Sequence, residues 1–416
     1  MEPYTLILLA IGLLMLFTTL SSGWITRLPI SYALIYLAVG VLLSPYGLNL
    51  VQVRPETEFL ERLTEFVVLI SLFSCGLKIS GPLRGWDWNS TARLIGGLMP
   101  ISILGVAAIA HFGLKLDWGD SILLGAILAP TDPVLASDVQ LGSEGARDTL
   151  RFGLTSEGGL NDAFAFPFVY FGLHWQKDPN WQHWIGQWTA IDLVWAIAAG
   201  LVMGIVVSWS VAKIHKALQR VRSIDEVLDD FVALATVLIV YASTELVNGY
   251  GFLAVFVAGI MVQRSYRDPE KRESHMEFIE TIEKLMEIGT ILLLGSLLRV
   301  EPILRFLPQT LLIAGTLLFI VRPVGAWICT IGENYRPIQR GLFGWFGIRG
   351  VGSIYYLTYS LGGGLQGPTG ELIAWITLTT IVISVVLHGT TATPLMKWYE
   401  RTLVRSRPRP QATLRS

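Results

Sequence analysis

Long apolar runs separated by short polar connections make up most of this chain. A helix needs ~20 apolar residues to cross the ~30 Å hydrocarbon core of a bilayer, and runs of about that length recur throughout the sequence. They predict thirteen segments, plus or minus one because Gly and Pro interrupt several. The segments lie near 4–22, 29–45, 63–80, 92–113, 119–139, 150–174, 187–211, 229–247, 250–264, 280–298, 304–330, 339–362 and 371–396. The pattern therefore predicts an all-α polytopic membrane protein of about thirteen transmembrane helices.

Composition supports a membrane environment and narrows the chemistry. The chain has 416 residues, of which 52% are hydrophobic and 15% charged, whereas soluble domains average roughly 25% charged residues. A net charge of −1 argues against a nucleic-acid partner. Two cysteines, Cys75 and Cys329, are too few for a disulfide framework or a metal site, so we expect no cofactor. The first segment follows Met1-Glu2-Pro3 without a basic stretch, and we expect a retained helix and not a signal peptide.

The basic residues predict an orientation. Most of the 31 Lys and Arg residues lie in connections after odd-numbered segments or in the tail. Since such connections face the cytoplasm, the C-terminus is expected inside and the N-terminus outside, in the cell membrane, which we take to be a bacterial inner membrane. Residues 1–396 form one membrane domain, and the basic tail 397–416 is predicted to be disordered.

Five ionisable residues lie deep inside segments: Asp132, Glu157, Asp162, Arg322 and Arg349. Each costs at least ~2.5 kcal/mol to insert at the bilayer centre, which marks it as a candidate functional residue. Others lie nearer segment ends, where we expect water or headgroups to reach them: Asp138, Glu245, Glu283, Lys284, His111, His174, His183, His215 and His275. His388, inside the last segment, is left open.

Segment five contains two prolines three residues apart, Pro130 and Pro133, around Thr131 and Asp132. Each proline lacks an N–H and crowds the carbonyl four residues back, so the helix should break at Thr131-Asp132. The break would gather backbone, hydroxyl and carboxylate oxygens, which suit a small hard cation, and broken helices facing a midplane site recur in transporters. The alternative is a proline kink with an uncharged, hydrogen-bonded Asp132.

Segment six carries Glu157 and Asn161 on one helix face, with Asp162 about 100° further round. The short loop before it makes segments five and six antiparallel neighbours, so Asp132 and Asp162 can face one cavity. Desolvation and mutual repulsion would favour protonation there, and protons and Na⁺ would compete for the same oxygens. The alternative is a polar cluster that only joins helices.

Segment twelve places Arg349 among several glycines, which weaken the helix opposite segment five. An arginine at this depth needs a buried counter-charge, and Glu157 is the natural candidate. We expect Arg349 to form a structural salt bridge with Glu157 in preference to binding the ion. Arg322, ahead of Pro323, is expected to snorkel or to lie at an interface.

These motifs resemble those of the cation:proton antiporters that include the prokaryotic NhaP proteins and the eukaryotic sodium–proton exchangers. Three runs occur in the same order, and the match covers essentially the whole chain: Thr131-Asp132-Pro133, Glu157-Gly-Gly-Leu-Asn161-Asp162 and Phe346-Gly-Ile-Arg349-Gly-Val-Gly-Ser. Each motif alone is weak, and the three in register are specific.

The resemblance implies an NhaA-like fold of inverted repeats with segments five and twelve crossing as broken helices. A transport bundle would comprise helices around 92–174 and 304–396, with dimerisation helices around 4–45 and 187–264 giving a homodimer and elevator-type movement. Asp162 would be the essential carboxylate, with Thr131 and Asp132 completing an Na⁺ site. Asn161, where other branches have a second acid, would mark exchange of one cation per proton without net charge.

Two departures from the family pattern leave the choice among Na⁺, K⁺ and Li⁺ open. Gly158 replaces a serine that can help hold the ion, and Ser74 stands where some members carry an acid in segment three, so it is only a possible ligand. We therefore carry three hypotheses: an electroneutral Na⁺/H⁺ antiporter, a K⁺(Na⁺)/H⁺ antiporter, and a channel or non-transporting sensor on the same scaffold.

Overall fold

The computed structural model describes residues 3–25, 31–52, 58–79, 86–133, 135–136, 148–221, 226–265 and 269–405, and within these ranges it is helical with no β-strand. Up to the middle of the chain the α-helices are α1 Pro3–Ile25, α2 Tyr32–Leu43, α3 Glu58–Lys78, α4 Trp86–Arg93, α5 Met99–Leu114, α6 Trp118–Leu128, α7 Thr149–Lys177, α8 Ile185–Gln187 and α9 Ala196–Val221. The remainder are α10 Glu226–Glu245, α11 Gly251–Ser265, α12 Pro269–Leu297, α13 Val300–Arg305, α14 Leu307–Thr316, α15 Arg322–Cys329, α16 Pro337–Trp345, α17 Val351–Gly362 and α18 Gly367–Arg405.

Several of these helices join into longer rods through π-helical turns. Leu94–Leu98 connects α4 to α5, Trp188–Trp195 connects α8 to α9, and Leu317–Val321 connects α14 to α15. Four helices in the described ranges are long and apolar enough to cross a membrane: Trp88–Leu114, Ile185–Val221, Leu307–Cys329 and Gly367–Thr402. Shorter apolar helices include Tyr32–Leu43 and Gly251–Ser265. The count of thirteen spans stays a prediction.

Glycine pairs hold neighbouring helices close together. Gly76 of α3 faces Gly259 of α11, and a Cβ on either would overlap the backbone of the other helix. Gly40 of α2 and Gly295 of α12 face each other in the same way. Small residues at such contacts let helix backbones approach closely. Close packing of this kind drives helix association within a bilayer, where the hydrophobic effect does not.

Two breaks in helical structure meet in the described part of the chain. Helix α6 ends at Leu128, and the chain is non-helical from Ala129 to Pro133, as the two prolines predict. The second interruption separates α16 from α17 at 346–350, in the glycine-rich part of segment twelve. The two non-helical segments contact each other, because the Asp132 amide donates to the Ile348 carbonyl at 2.7 Å.

The end of the chain differs from the prediction. Helix α18 continues through Arg405, so residues 397–405 are helical and are not a disordered tail. The reason is packing: Tyr399 is buried, and its hydroxyl donates to Asp148 and receives a bond from Gln339. Residues 406–416 and Asp138 lie outside the described residues.

Candidate functional site

Four side chains predicted from segments five and six lie at or beside these two breaks. Thr131, Asp132, Asn161 and Asp162, here called the crossing site, are all buried. The Asn161 amide donates to the Thr131 hydroxyl at 2.6 Å, which joins α7 to the break after α6. The carboxylates of Asp132 and Asp162 lie against Gly350 and Gly352, which are two residues apart.

Asp132 is fixed by backbone amides. One carboxylate oxygen accepts from Val351 N at 2.5 Å, the first amide of α17, and the other accepts from Leu135 N at 3.1 Å. The first turn of a helix has unpaired N–H groups and a positive dipole end. Asp132 therefore caps α17 from another part of the chain, and these amides stabilise its anionic form.

Asp162 is held differently. It is 1% exposed, and its carboxylate lies against Gly352, where any Cβ would overlap it. The Tyr356 hydroxyl donates to the Asp162 backbone carbonyl, which positions this turn of α7 against α17. Gly352 is therefore needed for the close approach of the α17 backbone to the carboxylate.

Two acceptor oxygens of the crossing site are open. Asp162 Oδ1 and Asn161 Oδ1 are both buried and have no hydrogen-bond partner in the described part of the chain. Buried polar atoms are nearly always paired, and carboxylate and amide oxygens are typical ligands of hard cations. The donor set thus fits a small monovalent cation, with the Asp162 oxygen as its charged ligand.

Arg349 joins the two interruptions. It is 0% exposed, and its guanidinium donates to the Ala129 carbonyl and to the Pro130 carbonyl, the latter at 2.9 Å. Ala129 lies four residues before Pro133, so its carbonyl is one that a proline leaves without a helical partner. The arginine of one broken helix therefore satisfies carbonyls freed by the break in the other.

The structure corrects the predicted partner of Glu157. Its two carboxylate oxygens accept from Arg322 of α15, at 2.8 and 3.1 Å, and not from Arg349. Arg322 also donates to the Phe346 carbonyl at 2.8 Å and is 2% exposed, so it neither snorkels nor lies at a surface. Gly347 leaves the space that the Arg322 side chain occupies, because a side chain at this position would overlap the guanidinium.

The Ser74 hydroxyl donates to Glu283 of α12 at 2.6 Å, so it is bonded outside the crossing site. Lys78, one turn further along α3, lies 3.8 Å from Glu283 and 3.6 Å from Glu280. Glu283 is buried by α3, so the expectation that water or headgroups reach it is wrong. Gly158, in contrast, lies beside the site, and a Cβ there would stand 3.7 Å from the Thr131 carbonyl.

Two further features were missed by sequence reasoning. A cavity of about 560 Å³ is lined by tyrosines and by Glu61, Glu65, Asp192 and Glu245, and it reaches Phe166, one turn beyond Asp162 on α7. His215 and His275, expected to be solvated, are buried beside Asp229, at 2.5 and 3.9 Å. Both features join residues far apart in sequence, so no local pattern announces them.

Known proteins resemble this chain over nearly its full length. The family model described as "Sodium/hydrogen exchanger, transmembrane" matches residues 12–398. The K(+)/H(+) antiporter NhaP of Alkalimonas amylolytica is 26% identical over 96% of this chain and 67% of its own length. K(+)/H(+) antiporter NhaP2 of Shewanella oneidensis is 26% identical over 93% of this chain and 66% of its own length. The chain thus spans about two thirds of these relatives.

The fold resembles that of a solved transporter. The sodium proton antiporter MjNhaP1 from Methanocaldococcus jannaschii, in its structure at pH 8, gives a TM-score of 0.72 with 20% identity, covering 95% of this chain and 98% of the other. A structure of the same protein from electron microscopy gives a TM-score of 0.74 over 98% of this chain and 100% of the other. At this identity the likeness concerns the fold.

Proposed function

We propose, from the premise that this chain belongs to the sodium/hydrogen exchanger family, that it exchanges a monovalent cation for a proton at Asp162. The family is one of membrane-spanning cation/proton antiporters, which are transporters and not enzymes. The observation that carries the proposal is the pair of open, buried oxygens, Asp162 Oδ1 and Asn161 Oδ1, beside the capped carboxylate of Asp132.

The proposed mechanism is competition at one carboxylate. Asp132 has both oxygens engaged by amides, so it contributes fixed negative charge. Asp162 has an oxygen free to take either a proton or a cation, and a buried carboxylate that has lost both is costly. Binding of the cation therefore expels the proton, and protonation expels the cation, with Thr131 and Asp132 as further oxygen ligands.

A single exchanging carboxylate supports electroneutral exchange. Asn161 has no proton to trade, and its amide is committed to Thr131. Loading with one cation or with one proton then gives the site the same charge. Exchange of one cation per proton should accordingly be insensitive to an imposed membrane potential.

Access to the site is proposed to alternate by an elevator-type movement. Helices around 92–174 and 304–396 would carry the crossing site, and helices around 4–45 and 187–264 would form the scaffold of a homodimer in a bacterial inner membrane. The cavity that reaches Phe166, lined by four acids and Arg62, would supply one approach for cations. The predicted orientation, with the N-terminus external and the C-terminus cytoplasmic, places this cavity on the outer side.

Na⁺ is our first candidate for the cation, and K⁺ is the second. The NhaP and NhaP2 relatives are named as K(+)/H(+) antiporters. Two positions that could supply an oxygen ligand do not do so here, since Gly158 has no side chain and the Ser74 hydroxyl binds Glu283. A site with fewer oxygen ligands would distinguish Na⁺ from K⁺ less strongly. The third hypothesis, a channel or sensor on this scaffold, is disfavoured because it would need no titrating carboxylate.

The test is cation-driven proton flux in proteoliposomes holding the full chain. Asp162→Asn should abolish flux driven by Na⁺, K⁺ or Li⁺, and in the parent protein lower pH should raise the KM for the cation, because protons compete for Asp162. Asp178→Asn is the matched control, since this partly exposed aspartate lies in a loop and its side chain bonds neighbours in sequence. Parent-rate exchange by Asp162→Asn would remove Asp162 from the mechanism.

A further inference from the structure

Ser353 presents a buried hydroxyl next to the crossing site. The side chain is 1% exposed, and its Oγ has no hydrogen-bond partner among the residues described. A serine in a helix usually returns its hydroxyl to the carbonyl three or four residues earlier. Ser360, two turns further along α17, does this by donating to the Tyr356 carbonyl at 2.6 Å. Ser353 is thus a buried hydroxyl left open on the same helix.

The position of Ser353 places this hydroxyl at the edge of the crossing site. It is in the first turn of α17, two residues after the Val351 amide that binds Asp132, and directly after Gly352, against which the Asp162 carboxylate lies. Tyr356, three residues on, binds the Asp162 carbonyl. Residues three and four apart share a helix face, so Ser353 flanks the face that Gly352 and Tyr356 turn towards Asp162.

Three buried acceptor oxygens of the crossing site and the first turn of α17 have no hydrogen-bond partner in the described residues: Asp162 Oδ1, Asn161 Oδ1 and Ser353 Oγ. A cation held between two oxygens separates them by more than a hydrogen-bond distance, so open oxygens that do not bond one another suit a ligand set. A hydroxyl also has acceptor lone pairs and a rotatable proton. It can therefore accept a cation in one state and donate to the carboxylate in the other.

We propose that Ser353 Oγ is a ligand of the transported monovalent cation and a determinant of cation selectivity. The inference rests on the proposed function and adds a ligand from α17 to those of α7 and the break after α6. In the proton-loaded state the same hydroxyl hydrogen-bonds the Asp162 side chain. Ser353 thus compensates for the oxygen that is absent at Gly158.

The test compares Ser353→Ala, Ser353→Thr and Ser360→Ala of the full chain in proteoliposomes. Ser353→Ala should raise the KM for the preferred cation about fivefold, the change expected when one neutral ligand is lost, and should change the ratio of KM values for Na⁺ and K⁺. Vmax should stay within about twofold of the parent, a bound that reflects an intact exchanging carboxylate. Ser353→Thr, which keeps a hydroxyl, should recover most of the affinity.

Ser360→Ala is the matched control: the same residue type, buried on the same helix, with its hydroxyl already bonded. Its KM and selectivity should equal those of the parent. Stabilisation of detergent-solubilised protein by added Na⁺ or K⁺ gives a readout independent of transport, and it should weaken in Ser353→Ala alone. Parent KM, selectivity and cation stabilisation in Ser353→Ala would overturn the proposal. That outcome would not contradict the proposed function, provided that Asp162→Asn is inactive.

Discussion

Two buried carboxylates on α7, little more than one turn apart, are held in different ways. Glu157 has both oxygens bonded to Arg322, which in turn bonds the Phe346 carbonyl. Asp162 keeps an open oxygen and faces a glycine. A carboxylate that is paired and fully bonded inside a membrane holds helices together, whereas one left open must find a proton or a cation. The comparison separates a structural acid from the proposed exchanging acid by its partners and not by its depth.

The largest effect should come from removing Arg322. Arg322→Ala leaves Glu157 as an unpaired buried charge, and breaking a buried pair typically costs ~3–5 kcal/mol. We expect a large loss of folded protein and a lower melting temperature in detergent. Arg305→Ala is the control, because its pair with Glu371 is exposed and spans 3.6 Å, and such pairs contribute ~0–1 kcal/mol.

A double variant sharpens this prediction. Replacing the pair with apolar residues, Arg322→Met with Glu157→Leu, should restore much of the folded yield, since such replacements are often neutral. Exchange activity per folded molecule should also return. If the double variant folds well and does not transport, Glu157 and Arg322 belong to the ion path and the contrast with Asp162 fails.

An intermediate effect is expected at Arg349, which both joins the two breaks and lies beside the proposed ion site. Arg349→Ala frees the Ala129 and Pro130 carbonyls in the break that carries Thr131 and Asp132, and each unsatisfied buried group costs ~1–3 kcal/mol. Folded yield and affinity for the cation should fall together, measured by size-exclusion yield and KM. Arg349→Lys, which retains a charged donor, should fall less in both. Normal KM with reduced yield would limit Arg349 to a structural role.

The smallest effect should come from Gly158→Ser. The added Cβ would lie 3.4 Å from the Pro133 Cβ, an ordinary contact, so the protein should fold normally. Its hydroxyl would add an oxygen near the Thr131 carbonyl and should lower the KM for Na⁺ by about two- to fivefold relative to K⁺, the magnitude of one neutral ligand. Gly158→Ala, which adds the Cβ alone, is the control. An equal shift in both variants would assign the effect to shape.

Local chemistry predicts the break in segment five, and long-range packing decides which charged residues pair. Pro130 and Pro133 act on their own helix, so the break around Thr131 and Asp132 could be predicted from the sequence and is confirmed. The partner of Glu157 could not, because Arg322 reaches it only through the space at Gly347. The sole sequence signal for it was a glycine that the prediction had assigned to helix weakening.

Burial near segment ends was also beyond the sequence. His215 and His275 lie just outside predicted segments, but α9 and α12 extend past those boundaries and both side chains are buried beside Asp229. Glu283 lies near the start of its predicted segment and is covered by Ser74 and Lys78 of α3. Helix α12, for example, begins at Pro269, eleven residues before the predicted segment at 280. A hydropathy pattern locates the apolar part of a helix and says nothing about polar turns that pack against other helices.

The bonds at the crossing have a mechanical consequence. Asp132 bonds Ile348 and Val351, while Arg349 bonds Ala129 and Pro130, so four hydrogen bonds join the two breaks. A slide of one residue along a helix axis, ~1.5 Å, would break these bonds together. We therefore expect the crossing to resist shear. In the proposed elevator-type movement, Asp162 and its neighbours on both helices would move in the same step.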